Sequence, residues 1–285
     1  MKILITGANG QLGREIKDLE SAYTHNEFLY TDIDELNICD STAVDQFFAF
    51  HSPDVVINCA AYTAVDKAET DSETAFLVNA VAPGNLARAA AESGAFMVHI
   101  STDYVYDGKN FRPYTETDAI NPSSVYAKSK AAGETAVLDA KGKAVIFRTS
   151  WLYSAYGINF IKTMMKYGVE REELKVVFDQ VGTPTYAHDL AKTILDILPV
   201  AMTAEMIEVY HYSNEGVASW YDFAKAIHLF SNISCKVNPI PTSDYPLPAE
   251  RPMYSVLDKS KIKRKFSIEI PYWRDSVKHC IDRTG

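Results

Sequence analysis

Along its first half the chain alternates short, unbroken apolar runs with longer segments in which apolar residues recur at helical spacing. Ile3-Leu4-Ile5, Glu27 to Tyr30, Pro53 to Ala61, Ala95 to Ile100 and Lys143 to Phe147 read as strands. Their largely continuous apolar character fits strands covered on both faces. Gln11 to Leu19 places Leu12, Ile16 and Leu19 on one helical face. Ser41 to Phe50, Ala75 to Ser93 and Val125 to Leu138 supply further helices, with a break expected near Pro83 and a stop at Gly94. Leu36 to Cys39 reads as a shorter strand-like piece. Strands joined by helical crossovers predict an α/β fold built on a doubly wound parallel sheet.

Beyond Arg148 the pattern changes, and aromatic residues and prolines become frequent. Asn159 to Lys166, Ala187 to Leu198 and Ser219 to Phe230 read as helices, the last capped by Ser219, while Lys175 to Phe178 and Glu208 to Tyr212 read as strands. No linker rich in Gly or Ser separates the halves. The expected organisation is a dinucleotide-binding domain over residues 1–150 and a smaller, mainly substrate-binding α/β region over 151–285, some of whose segments return to the first domain.

Composition narrows the possible functions. The chain has 285 residues, 47% of them hydrophobic, with a net charge of −9 that argues against non-specific nucleic-acid binding. No apolar run approaches a bilayer span, and Met1-Lys2 leads straight into a glycine motif rather than a signal sequence, so a cytoplasmic location is expected. Cys39, Cys59, Cys235 and Cys280 are far apart and form no C-x-x-C pair, which points to idle thiols rather than a zinc cage or disulfide scaffold.

The candidate chemistry lies in three features in fixed order. Gly7, Gly10 and Gly13 follow the first strand and open the first helix, where free N–H groups and the helix dipole suit a dinucleotide pyrophosphate. Asp32, after the second strand, is placed to accept from a ribose hydroxyl, an arrangement that leans towards NAD(H). Asp40 either contacts the adenine end or caps the following helix. Thr102 then ends the fourth strand, and Tyr126 and Lys130 stand one helical turn apart. Hydride reduction of a ketone needs a proton for the new alkoxide; Lys130, together with the cofactor's positive ring in the oxidised direction, is expected to bring the Tyr126 hydroxyl down from its ordinary value, and Thr102 to orient the carbonyl. Tyr221 and Lys225 repeat the spacing with no such strand before them and read as a surface pair. His99, inside a strand, reads as a core residue.

The motifs Gly7 to Glu15, Asn58 to Glu69, Ser101 to Tyr106, Tyr126 to Glu134 and Phe147 to Trp151 resemble those of the extended short-chain dehydrogenase/reductases. Asn159-Phe160, Asp179-Gln180, Pro184-Thr185 and Arg251-Pro252 extend the likeness to members that act on nucleotide-linked deoxysugars. The resemblance implies a Rossmann fold and reduction of a 4-keto-6-deoxysugar nucleotide at C4 with NADP(H) or NAD(H). It implies dinucleotide contacts from Gly10, Gln11, Leu12, Asp32, Asp40, Ala61, Tyr62, Thr63, Tyr126 and Lys130. Val65, Thr102, Asp103, Tyr104, Tyr126 and Trp151 would line the sugar pocket. Arg251 would either fork onto the diphosphate or brace a proline-rich loop. The basic run Lys259, Lys261, Lys263, Arg264 and Lys265 reads mainly as a solvated face.

Departures from the family pattern bear on metal and assembly. A magnesium site at a dimer interface is matched by Glu15, but His188 holds the second position and the tail offers no clear third carboxylate. No metal is therefore assigned, and the expected state is monomer or homodimer. Two other readings stay open. One is a nucleotide-sugar epimerase or dehydratase, for which Asp103 would act as an acid. The other is a non-catalytic NADP-binding regulatory subunit, although Thr102, Tyr126 and Lys130 are all kept.

Overall fold

The computed structural model describes residues 1–284. Six parallel strands form the central sheet: β1 (Lys2–Thr6), β2 (Glu27–Thr31), β3 (Val55–Asn58), β4 (Phe96–Thr102), β5 (Lys143–Thr149) and β6 (Glu208–His211). Their spatial order is β6-β5-β4-β3-β1-β2. The chain leaves β1 in one direction to make β2 and returns to the other side of β1 to make β3, so the order reverses between β1 and β3. A crevice opens at that switch point, outside the carboxyl ends of the strands. The sixth strand comes from the second half of the chain, with Glu208 in register with Val145 and His211 with Arg148.

Side chains alternate across this sheet. Ile3, Ile5, Val55, Ile57, Val98 and Phe147 point to one face, where α1 (Gln11–Leu19) meets the later helix Ala187–Ala201. Leu4, Val56, Met97 and Ile146 point to the other, covered by α2 (Ser41–His51), α3 (Ala82–Ser93) and α4 (Val125–Asp139). Burial on both faces explains the unbroken apolar runs.

Two local expectations are corrected. Leu36 to Cys39 is a turn rather than a strand: Leu36 and Ile38 are buried, but Asn37 Oδ1 accepts from Cys39 N and the Asn37 carbonyl from Asp40 N. Alternating burial here arises from an Asx-type turn over the core. The helix around Pro83 does not stop. Leu77–Val81 forms a π-turn leading directly into α3. Pro83 has no N–H to give the Asn79 carbonyl, and the wider turn accommodates the loss. Gly133 of α4 packs on that carbonyl so closely that a Cβ would lie 2.1 Å from it.

The second region has its own core of Tyr153, Ile161, Leu174, Val176, Phe223 and Trp273. It combines α5 (Phe160–Glu170), α7 (Trp220–Phe230) and α9 (Trp273–Thr284) with the parallel pair Glu173–Val177 and Lys236–Ile240, whereas α6 (Ala187–Ala201) and α8 (Ser260–Phe266) pack back on the central sheet. Ser219 and Asp222 form a reciprocal capping box at the start of α7. No helix among the described residues is long and apolar enough to cross a membrane.

Candidate active site

The glycine loop meets the end of β3 at the crevice. Gly7 has a φ of +64°, and a Cβ there would lie 2.6 Å from Ala60, so only glycine lets these two turns close together. Gly10 is the N-cap of α1 and supplies no side-chain cap, leaving first-turn N–H groups available to an anion. Gln11 Oε1 accepts from Asn159 Nδ2 at 3.0 Å, which ties this loop to the second region.

A cavity of about 420 Å³ runs from the loop past the end of β4 into the second region. Its walls bring together Gly10, Gln11, Leu12, Ala61, Thr63, Val65, Thr102, Asp103, Tyr104, Tyr126, Lys130 and Trp151. These residues are spread over the first 151 positions. A second cavity of about 380 Å³, lined by Gly7, Gly10, Asp32, Leu36, Ile38 and Ala61, lies on the β2 side of the loop. Tyr62 lies outside both linings: its hydroxyl donates to Asp71 Oδ2 at 3.0 Å, and its backbone is clasped by Asn79. Asp40 is also absent from both. Its Oδ1 accepts from Thr42 N and Ala43 N, so the carboxylate caps α2. Of the two roles open to Asp40, the structure gives it the cap.

The catalytic candidates are presented from α4 and the end of β4. Ser124 caps α4 by accepting from Ala127 N. Asn79, fully buried, donates to the Tyr62 carbonyl and Ser129 Oγ, each at 3.0 Å, and locks α4 against the π-turn. Lys130 is buried, and its Nζ donates to the Ile100 carbonyl at 2.6 Å. Burial lowers its pKa to about 8, partly opposed by Glu134. The Tyr126 ring meets Tyr104 edge-on, with centroids 5.7 Å apart. In the polypeptide alone the Tyr126 hydroxyl is raised. Burial pushes Tyr126 up to about 12, the Thr102 hydroxyl pulls the other way, and the Asp103 charge adds to the rise. Desolvation dominates, and the Lys130 ammonium is held on the Ile100 carbonyl. Tyr126 is thus held as a phenol, the form that gives a proton.

Thr102 Oγ1 donates to Asp103 Oδ1 at 3.1 Å and accepts from Tyr104 N. Asp103 is buried, its Oδ2 has no partner, and burial pushes its carboxyl up to about 7 against the opposing Ser255 and Thr102 hydroxyls. An acid whose folded pKa is raised costs stability as pH climbs from its ordinary value to the raised one. Asp103→Asn keeps the acceptor for Thr102. Its unfolding free energy relative to the wild type is expected to rise from pH 4 to pH 7 and level off above. Urea unfolding at pH 5 and pH 8 checks this, and an equal difference at both would refute it.

At the far end of the cavity Trp151 adopts a φ of +47°. That left-handed backbone costs on the order of 1–3 kcal/mol in a non-glycine residue. It lays the indole flat on Trp220, with ring centroids 3.7 Å apart and planes 10° apart. Trp220 lines the same cavity, and no linear motif marked it. It also lines a third cavity, about 440 Å³, with Asp66, Tyr104, Gln180 and Arg251. Arg251 pairs in a fork with Asp66, Nη1 to Oδ1 at 2.9 Å and Nη2 to Oδ2 at 2.7 Å. Of the two expected roles, the fork is engaged in bracing the proline-rich loop to Asp66. The basic run is also engaged in part: Lys261 pairs with Glu208, and Lys259 and Lys263 with Glu215. Of Tyr221 and Lys225, read as a surface pair, Lys225 is exposed on α7 while Tyr221 is half-buried against the second core.

Glu15 is fully buried and accepts from Ser154 Oγ, His188 Nδ1 and Arg283 Nη1. The hydrogen bonds from these three outweigh burial and hold its carboxyl below the ordinary range. The C-terminal helix therefore answers Glu15 with a guanidinium. Among the described residues no cluster of His, Cys, Asp and Glu has the make-up of a metal site.

Comparison with known proteins places this geometry. The family model described as RmlD substrate binding domain matches residues 1–285. The chain belongs to that family. It is 41% identical to the dTDP-4-dehydrorhamnose reductase of Aggregatibacter actinomycetemcomitans, over 98% of this chain and 97% of that protein. A crystal structure of a dTDP-4-dehydrorhamnose reductase from Clostridium acetobutylicum matches with a TM-score of 0.95 and 46% identity over 99% of both chains. One from Bacillus anthracis, in complex with NADP, matches with a TM-score of 0.94 and 37% identity over 99% of both. The likeness spans the whole family fold, the second region included.

Proposed function

We propose that this protein reduces the C4 ketone of dTDP-4-dehydrorhamnose to the alcohol of dTDP-L-rhamnose, using NADPH or NADH. One observation carries the reading. A single cavity joins the uncapped start of α1, the Thr102, Tyr126 and Lys130 set, and the Trp151–Trp220 stack. The residues fit a dinucleotide. Gly10 leaves the first turn of α1 open to a pyrophosphate, and the cavity beside Leu36 and Ile38 has the apolar walls an adenine needs. When bound, the reduced nicotinamide supplies the hydride.

The polypeptide does the rest. Tyr126, held as a phenol, gives its proton to the carbonyl oxygen as negative charge develops there. The buried Lys130 cation favours the phenolate left behind. Thr102 turns its hydroxyl from Asp103 to the substrate oxygen, with its Oγ1 held by Tyr104 N. The Trp151 and Trp220 rings offer an apolar wall to the sugar methyl. The neighbouring cavity, with Gln180 and Arg251, has the size and polarity for the nucleotide half. The four cysteines stand as free thiols, in keeping with work in the cytoplasm.

The test is loss of dihydronicotinamide absorbance on mixing the protein with NADPH or NADH and the 4-keto sugar nucleotide. Oxidation with at least one is expected. No oxidation with either would overturn catalysis and leave a dinucleotide-binding module in its place.

A further inference from the structure

Two side chains stand between the catalytic cavity and its neighbour. Tyr104 and Trp220 line both the cavity of about 420 Å³ that holds Thr102, Tyr126 and Lys130 and the cavity of about 440 Å³ beside Gln180 and Arg251. A nucleotide sugar that puts its ketone at Tyr126 and its nucleotide beside Gln180 has to cross this partition.

The two side chains are not held alike. Tyr104 N donates to Thr102 Oγ1 at 3.2 Å and its ring meets Tyr126 edge-on, so it is fixed to the catalytic set. Trp220 is the first residue of α7, and the Ser219 and Asp222 capping box fixes its backbone. Its ring is held by aromatic contacts: the Trp151 indole at 3.7 Å between centroids, and Phe160 at 4.7 Å, tilted by 55°. Stacking of this kind is readily exchanged for another apolar contact.

Trp151 is the fixed partner of the pair. A Cβ at Gly182 would lie 2.9 Å from Cε2 and Cζ2 of its indole, so the backbone of that strand closes on the ring. The Trp151 carbonyl accepts from Thr185 N at 3.2 Å, and the backbone is held at a φ of +47°. Trp220, by contrast, borders the open volume of the neighbouring cavity. Two rings that clasp a sugar lie about 7–8 Å apart, the sum of two carbon contacts. The stacked indoles leave no such slot.

We propose that Trp220 is a gate. The sugar nucleotide turns its indole off Trp151 towards the neighbouring cavity, which opens the partition and leaves the deoxysugar methyl between the two parted rings. The inference rests on the substrate reading given under Proposed function. Apolar surface stays covered on both indoles once the sugar is in place, whereas in the free protein the stack withholds the slot.

The test is fluorine NMR of the full-length protein carrying 5-fluorotryptophan at its three tryptophans, Trp151, Trp220 and Trp273, with Trp151→Phe and Trp220→Phe to assign the signals. Saturation with dTDP-L-rhamnose is expected to shift the Trp151 and Trp220 signals together, since each ring leaves the shielding cone of the other, and to leave Trp273 in place. Thymidine 5′-diphosphate, which lacks the sugar, is expected to leave Trp151 unmoved. Trp220→Leu is expected to raise the association rate of dTDP-L-rhamnose in stopped flow by about fivefold, the fraction that an aromatic stack withholds. No shift at a concentration that calorimetry shows to be saturating, an equal Trp151 shift with the diphosphate alone, or an association rate equal to that of wild type overturns the gate while the reductase reading stands. Wild type that does not bind the sugar nucleotide overturns both.

Discussion

Tyr126→Phe is expected to lower the rate of sugar reduction by about 10²–10⁴-fold, the contribution of a positioned general acid. The phenol is held protonated by burial, up to about 12, and no other donor in the cavity is as well placed to replace it. Thr102 is turned to Asp103, and Lys130 is fixed on the Ile100 carbonyl. The substitution removes one oxygen and leaves the ring against Tyr104, so the wall of the cavity is retained. Dinucleotide binding should therefore persist, measured by titration beside the turnover assay. Turnover within tenfold of wild type would remove Tyr126 from its role, and loss of dinucleotide binding would mean that it shapes the cavity rather than donating to substrate.

Arg148→Met carries the largest expected effect on stability, about 3–5 kcal/mol, the usual cost of stranding one charge of a buried pair. Arg148, at the end of β5, reaches Glu134 of α4 through Nε and Nη2, with the closest contact 2.7 Å, and both side chains are almost completely buried. Its Nη1 donates to the Tyr106 hydroxyl at 2.6 Å, and Ser101 Oγ donates to Glu134. Removal of the guanidinium leaves Glu134 charged in the core, between the strand that ends in Thr102 and the helix that carries Tyr126. Urea unfolding measures the loss. A second substitution, Glu134→Leu in the Arg148→Met background, is expected to recover much of it, since two apolar groups remove the uncompensated charge. A loss below about 1 kcal/mol for the single variant would show that water reaches the pair.

The central sheet was legible because each strand is covered on both faces, and burial of that kind leaves a continuous apolar signature in the residues themselves. Gly7 and Tyr126 were legible for a different reason. The chemistry at each position restricts the residue to very few types, at spacings set by one turn of loop or helix. Leu36 to Cys39 misled because an Asx turn over a core buries alternate residues just as a strand edge does. Asp40 was ambiguous because a carboxylate after a strand serves equally as a ligand or as a cap, and only the directions of the Thr42 and Ala43 N–H groups decide.

Local pattern and residue type were thus enough for the α/β class and the glycine cradle, since each depends on residues close together in the chain, and they singled out Thr102, Tyr126 and Lys130, which β4 and α4 bring to one cavity. Contacts between distant segments were decided by folding. They include Trp220 stacked on Trp151, Arg251 forked onto Asp66, Arg283 on the buried Glu15, and Glu208–His211 as the sixth strand. Such pairs join positions tens to hundreds of residues apart. Neither member has a partner at a fixed spacing, so the charge or ring that completes it exists only once the two regions pack together.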